Sequence, residues 1–308
     1  MCRPLKSRYL PLSITIAAVC LVLAICAKGK IFCFSSALLL GIIQGLTEFL
    51  PISSTAHLLL AEIVLNIDHC QTNGIFQPTE MLCAFDVILQ IGTVLAAFVF
   101  FRKDIATLLR QAKREKKLQK NPLWIIFCAF LPVGIVGFCV RHYIDRLYQI
   151  QVIACALIFG GVLIFLGERL AFSKKQHHYD GISNVVPSLN QAIKIGFWQC
   201  LSLIPGTSRS MSTIVGGYSC GLNREVAVKF SFLLGLVTSA VATIYKLISS
   251  ATIIFHYFSL GTILAGVLSS AVVAFIVIKP FIRYLIQHGL TIFGHYRIFL
   301  ALCIFLIQ

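Results

Sequence analysis

The chain has 308 residues, is 58% apolar, is only 12% charged, and carries a formal net charge of +15. Soluble domains are about 25% charged, so an ordinary water-soluble fold is excluded. The positive balance is not a nucleic-acid signature, because the basic residues sit in short stretches between long apolar runs.

In chain order, Arg3, Lys6 and Arg8 precede an apolar run from Leu10 to Ala27, and Lys28 and Lys30 follow it. The residues before Lys28 make a poor small-x-small cleavage site. Residues 1–30 therefore read as an N-terminal extension with a retained extra span, not a cleaved signal peptide. A membrane domain is expected over residues 31–308. Its apolar segments fall at about 34–50, 55–66, 82–101, 123–140, 150–168, 191–204, 210–222, 226–248, 256–278 and 291–308. Runs of roughly 17–25 apolar residues are bilayer spans.

Four segments, 34–50, 55–66, 191–204 and 210–222, are too short to cross twice as pairs. Each pair is broken by a proline followed by Ser or Thr, which starts a new helix. They read as re-entrant hairpins, a form tolerated at membrane depth where it lines a buried cavity. Gly41-Ile-Ile-Gln44-Gly-Leu46 resembles Gly196-Phe-Trp-Gln199-Cys-Leu201. Three full spans separate the hairpins, so the two halves are expected to be inverted repeats whose hairpin tips form a midplane site. The predicted fold is thus an all-α polytopic membrane protein.

The stretch from Arg102 to Lys120 holds eight Lys or Arg against Asp104 and Glu115. It reads as a cytoplasmic loop under the positive-inside rule. Lys174, Lys175, Lys279 and Arg283 fall on the same side. The first hairpin then enters from outside and the second from inside. The cysteines located within apolar runs act as small hydrophobes. No C-x-x-C pair exists, and neither zinc nor a disulfide framework is expected.

Two polar strings carry the chemistry. The first is Gln44-Gly-Leu-Thr-Glu48-Phe-Leu-Pro51-Ile-Ser53-Ser54-Thr55-Ala-His57, and the second is Pro205-Gly206-Thr207-Ser208-Arg209-Ser210. Ionisable groups at membrane depth are costly and mark functional sites. Gln44 and Glu48 share one helix face and could hold a divalent cation through oxygen; Glu48 could also act as a base. Ser53, Ser54 and Thr55 can cap the helix bearing His57, one turn on, and a hydroxyl with a nearby base is what a nucleophile needs. The guanidinium of Arg209 fits phosphate oxygens bidentately; the competing reading is an ion pair with Glu48. Two helix N-termini with the hydroxyls of Thr207, Ser208 and Ser210 complete an anion site. Asp86 and Gln90 read as caps or support, and Glu62 and Glu168 as solvated groups near helix ends.

These strings resemble the bacitracin-resistance family of undecaprenyl-diphosphate phosphatases. The likeness lies in Gln44 to His57, in Pro205 to Ser210, in the stretch Phe85 to Gly92, in Phe230 to Leu234, and in Tyr296-Arg297. The resemblance implies hydrolysis of undecaprenyl diphosphate to the monophosphate, recycling the carrier lipid of peptidoglycan synthesis. It implies Ser54 as nucleophile, Arg209 as phosphate clamp, Glu48 as base or cation ligand, and His57 as acid or base. It further implies a divalent cation, Mg²⁺ or Ca²⁺, a bacterial inner-membrane location and a site facing the periplasm. Gln44 stands where many members have Glu, which puts direct metal ligation there in doubt. Expected partners are the polyprenyl diphosphate and membrane lipids; pairing as a homodimer stays open. A lipid-phosphate flippase of similar inverted-repeat architecture is the alternative, and it would need Arg209 but not Ser54.

Overall fold

A computed structural model describes residues 34–65, 67, 69–72, 75–78, 80–173 and 186–307. The extension at 1–30 and Lys174 and Lys175 lie outside them. The described chain is an all-α polytopic membrane protein carrying one short antiparallel ribbon, β1 (His69–Thr72) with β2 (Ile75–Pro78). Five of its helices are long and apolar enough to cross a membrane: α3 (Glu80–Phe100), α5 (Pro122–Ile144), α6 (Ile150–Ser173), α9 (Arg224–Ser249) and α11 (Leu260–His288). A shorter apolar helix, α12 (Thr291–Ile307), ends the described chain.

The two interrupted regions form helix pairs. The first is α1 (Phe34–Thr47) with α2 (Ser54–Val64), and the second is α7 (Leu189–Gln199) with α8 (Arg209–Ser219). Three long helices, α3, α5 and α6, stand between the pairs. Packing partners exchange between the halves: α1 lies on α11 as α7 lies on α5, while α3 meets α9 and α6 meets α12. Small residues permit this closeness, as they do generally between membrane helices. A Cβ on Gly45 would stand 2.6 Å from the Ser270 carbonyl of α11, and one on Gly196 would strike the Ala129 carbonyl of α5.

The basic stretch after α3 is not a plain loop. Arg102–Arg114 forms a helix, α4, which buries only Leu108. Its charges leave a single apolar stripe, enough for an amphipathic helix but not for a span. A short helix, α10 (Ala251–Tyr257), precedes α11, whose first turn is capped by Ser259.

Glu62 and Glu168 correct the expectation of solvated groups: they are 1% and 3% exposed. Helix ends here lie inside the bundle rather than at its surface. Glu168 accepts from the Leu290 N–H at the start of α12 (2.7 Å) and from Arg224 (2.5 Å), joining three elements. Glu62 lies within electrostatic reach of Asp86 on α3.

One side chain holds the two broken regions together. Arg297 on α12 is fully buried. Its Nη1 donates to the Pro51 carbonyl (3.1 Å) and its Nη2 to the Gly206 carbonyl (2.9 Å). Its Nη2 and Nε also donate to Ala156 (3.0 Å) and Leu157 (3.2 Å) of α6. The guanidinium runs beside Gly160, where a Cβ would collide with it. Lysine keeps the charge but cannot reach four carbonyls on three segments. Arg297→Lys should cost about 2–4 kcal/mol, read as a fall in the thermal unfolding midpoint in detergent. An unchanged midpoint would mean the tips hold without this clamp.

Candidate active site

Both helix breaks end in the same local device. Ser53 caps α2 with φ 73° and accepts from the Ala56 N–H; Ser208 caps α8 with φ 71° and accepts from the Met211 N–H. These are the positive-φ residues other than glycine among the described residues. Such backbone is uncommon outside glycine and clusters at functional sites. It turns the chain sharply, so that the residue after each cap starts a helix whose N-terminus is the favourable end for an anion. Those residues are Ser54 and Arg209.

The tips meet. Arg209 Nη2 donates to Glu48 Oε1 at 2.8 Å, across 161 residues of chain. The Ser54 hydroxyl donates to Glu48 Oε2 at 3.0 Å, and Gln44 Nε2 donates to the same oxygen at 3.1 Å. Ser210 Oγ donates to the Leu50 carbonyl at 3.1 Å and lies 3.1 Å from Ser208 Oγ. The carboxylate of Glu48 is nearly buried, at 8% exposure. Each donor on it is thus a charge-assisted bond in a setting with little water.

The ion pair expected as the competing reading of Arg209 is present, yet it uses one N–H of the five a guanidinium carries. Its Nη1 lies against Gly235 of α9, where a Cβ could not stand. Gln44, Glu48, Ser54, Thr55, Ser208 and Arg209 line one cavity of about 310 Å³. Asp86 and Gln90 line it too. Gln90 accepts from Thr243 at 3.1 Å. The cavity is also lined by Ile144, the last residue of α5, by Tyr148 just beyond it, and by Lys246 near the end of α9. Since α5 starts just after α4, this mouth is at the opposite end of the bundle from the basic helix.

Not every candidate faces this cavity. The His57 ring is held from both sides: Nδ1 lies 2.7 Å from the Ser53 carbonyl and Nε2 2.6 Å from the Tyr296 hydroxyl. A carbonyl only accepts, so Nδ1 carries the proton and Tyr296 O–H donates to Nε2. The rings stack, with centroids 5.6 Å apart. Thr207 is fully buried and its Oγ1 has no partner. Ser53 caps α2 and also lines the cavity, whereas Ser210 serves as a tie to Leu50. Arg297, which the polar strings do not contain, is the residue that brings the tips together.

Two oxygen atoms at the cavity test the fit of a divalent cation. Gln44 Oε1 and Asp86 Oδ1 are buried and accept no hydrogen bond. Together with Glu48 they offer the hard oxygen donors that Mg²⁺ or Ca²⁺ takes. No group of three His, Cys, Asp or Glu able to hold a metal occurs among the described residues. Such an ion would therefore rely on waters and phosphate oxygens as well, as Mg²⁺ commonly does.

Fold and site together define a polytopic membrane protein with a centre of hydroxyls, a carboxylate and a guanidinium buried between two broken helices. Residues 37–303 match the family described as Bacitracin resistance protein BacA, and the chain belongs to that family. It is 38% identical over 272 residues to the undecaprenyl-diphosphatase of Campylobacter jejuni serotype O:6, covering 88% of this chain and 92% of the relative. The protein of that name from Nitrosomonas europaea is 37% identical, covering 88% and 93%. That from Aquifex aeolicus is 36% identical, covering 86% and 95%.

Gly235 offers a sharp test of the geometry. Alanine is the better helix former by about 1 kcal/mol, so Gly235→Ala should keep or raise thermal stability. Its methyl displaces the Arg209 guanidinium, so binding of inorganic phosphate should weaken by about tenfold. Calorimetric titration reads this directly. Unaltered phosphate affinity would show that Arg209 has another place to go.

Proposed function

We propose that this protein hydrolyses undecaprenyl diphosphate to undecaprenyl phosphate and inorganic phosphate, recycling the carrier lipid of cell-wall synthesis and so giving resistance to bacitracin. The observation that carries the reading is the Ser54 hydroxyl donating to a Glu48 carboxylate that also holds Arg209. The printed name of the relatives supports the same substrate.

In this reading Glu48 Oε2 takes the Ser54 proton as Oγ attacks the terminal phosphorus. The bond from that phosphorus to the bridging oxygen breaks, and the lipid monophosphate leaves. Glu48 passes its proton to the departing lipid phosphate; once ionised again it deprotonates a water, which attacks the phosphoserine, and the proton returns to Ser54 Oγ as phosphate leaves. Arg209 and the first-turn N–H groups of α2 and α8 stabilise the equatorial oxygens, which is most of what phosphoryl transfer requires. A divalent cation held by Glu48, with Gln44 and Asp86 beside it, would add positive charge on those oxygens. His57 acts through Ser53: its Nδ1–H bond fixes the turn that presents Ser54. Thr55 and Ser208 bound the phosphate pocket.

The tests follow from the roles. Purified wild-type protein in detergent should release phosphate from a polyprenyl diphosphate, and a chelator should stop it. Ser54→Ala should lose at least about a hundredfold in rate while keeping its fold; a cap alone is worth about 1 kcal/mol. Activity retained by Ser54→Ala would remove the nucleophile and favour a flippase, which needs only the clamp.

The sidedness is part of the proposal. Exchange of packing partners between the halves supports inverted repeats, and the positive-inside rule puts α4 in the cytoplasm. The cavity mouth then faces the periplasm from the inner membrane. A cysteine at Thr55, in a background without native cysteines, should react with a membrane-impermeant thiol reagent in spheroplasts and be protected by substrate. Reaction only in inverted vesicles would reverse the orientation.

A further inference from the structure

The cavity does not stop at Arg209. It continues along one face of α9, where Ser239, Ala242 and Lys246 line it at helical spacing. Ser239 is 6% exposed, and its Oγ has no hydrogen-bond partner. It lies one turn beyond Gly235, the residue against which the Arg209 guanidinium rests. The two levels are about 6 Å apart along the axis. Its neighbour Thr238 is already committed, accepting from Gln199 at 2.7 Å and donating to the Leu234 carbonyl at 2.9 Å.

Lys246 stands nearly two turns further toward the mouth. Side chains on a helix lean toward its N-terminus, so this one leans back along the groove that the small Ala242 leaves open. Its ammonium lies 6.0 Å from the Tyr148 ring centre and within electrostatic reach of Asp86. Across the cavity, the Gln90 amide spends its oxygen on Thr243 and keeps its N–H donors. Donors thus continue outward from Arg209 on two walls of the cavity: a hydroxyl and an ammonium on α9, and an amide on α3.

We propose that Ser239 and Lys246 form a second anion subsite, which holds the phosphate that stays on the lipid while Arg209 holds the one that is cleaved. The inference rests on the hydrolytic reading for the identity of the substrate. The protein then reads its ligand as two phosphates in line, not as one. A monophosphate product fills one subsite only and is held less tightly, which gives product release a direction.

The experiment measures binding by the full chain in detergent with two probes, methylenediphosphonate and inorganic phosphate. Lys246→Gln should weaken the diphosphonate about tenfold, the worth of a charge-assisted bond, and leave inorganic phosphate within about twofold. Ser239→Ala should show the same selectivity with a smaller loss, and Lys246→Arg should restore affinity. Equal weakening of both probes, or no change for either, would overturn the second subsite. Ser54→Ala, which keeps both subsites, should bind the diphosphonate as the wild type does. A protein that binds the diphosphonate through Lys246 yet releases no phosphate would refute the hydrolytic reading and leave the subsite standing.

Discussion

Everything at the centre of this molecule depends on the guanidinium of Arg297. Breaking a helix inside a membrane strands backbone carbonyls that no water can reach, at several kcal/mol each. The chain breaks twice, after α1 and after α7, and Arg297 takes a carbonyl from each break, Pro51 and Gly206. It anchors both to α6 through Ala156 and Leu157. A fully buried charge is itself costly. Here it is met by four carbonyl dipoles, so the two expenses offset each other. Because one rigid planar group holds both loops, their separation is fixed. That is why Glu48 from the first and Arg209 from the second meet at 2.8 Å.

The same economy appears in the caps. Ser53 and Ser208 each hold a backbone conformation that costs about 1–3 kcal/mol. Each recovers about 1 kcal/mol through its own cap bond. The rest comes from the surrounding ties: Arg297 on the carbonyls, Ser210 on Leu50, and the His57 ring on the Ser53 carbonyl. The strain has a geometric product. It places Ser54 and Arg209 at equivalent first positions of two helices, facing each other across Glu48. A hydroxyl in one half and a cation in the other occupy one structural role.

Much of this was legible in the sequence, because polar residues at membrane depth are expensive enough to stand out singly. Glu48, Ser54 and Arg209 are named by that cost, and proline followed by Ser or Thr locates both breaks. Less legible was anything that depends on partners. Glu62 and Glu168 lie near helix ends, which suggests solvent until the ends prove to be inside the bundle. The 102–120 stretch has the charge of a loop, yet its single apolar stripe is enough for a helix. His57 carries no mark in the sequence to say that Tyr296 takes its Nε2. Arg297 was named only as part of the family likeness and was given no role, although an arginine inside the last apolar run carries the same cost that flagged Arg209. Ser239 could not be found this way, since one serine in a long helix is unremarkable until its hydroxyl is seen without a partner.

Charge balance links the cavity to the cation. Its ionisable lining is Glu48 and Asp86 against Arg209 and Lys246, two of each sign. Arg209 is on Glu48, and Lys246 is near Asp86. A diphosphate brings further negative charge into a space already near neutrality. In a setting of low dielectric that excess is costly unless positive charge enters with it. On the proposed reading, Gln44 Oε1 and Asp86 Oδ1 are acceptors awaiting that charge. Leu268, Val272 and Ile276 give α11 an exposed apolar face, which offers a charged headgroup no partner. The polar way in is the Lys246 mouth. On the same proposed reading substrate and counter-ion share one entrance, and the carboxylates beside the two basic residues set the terms on which an anion is admitted.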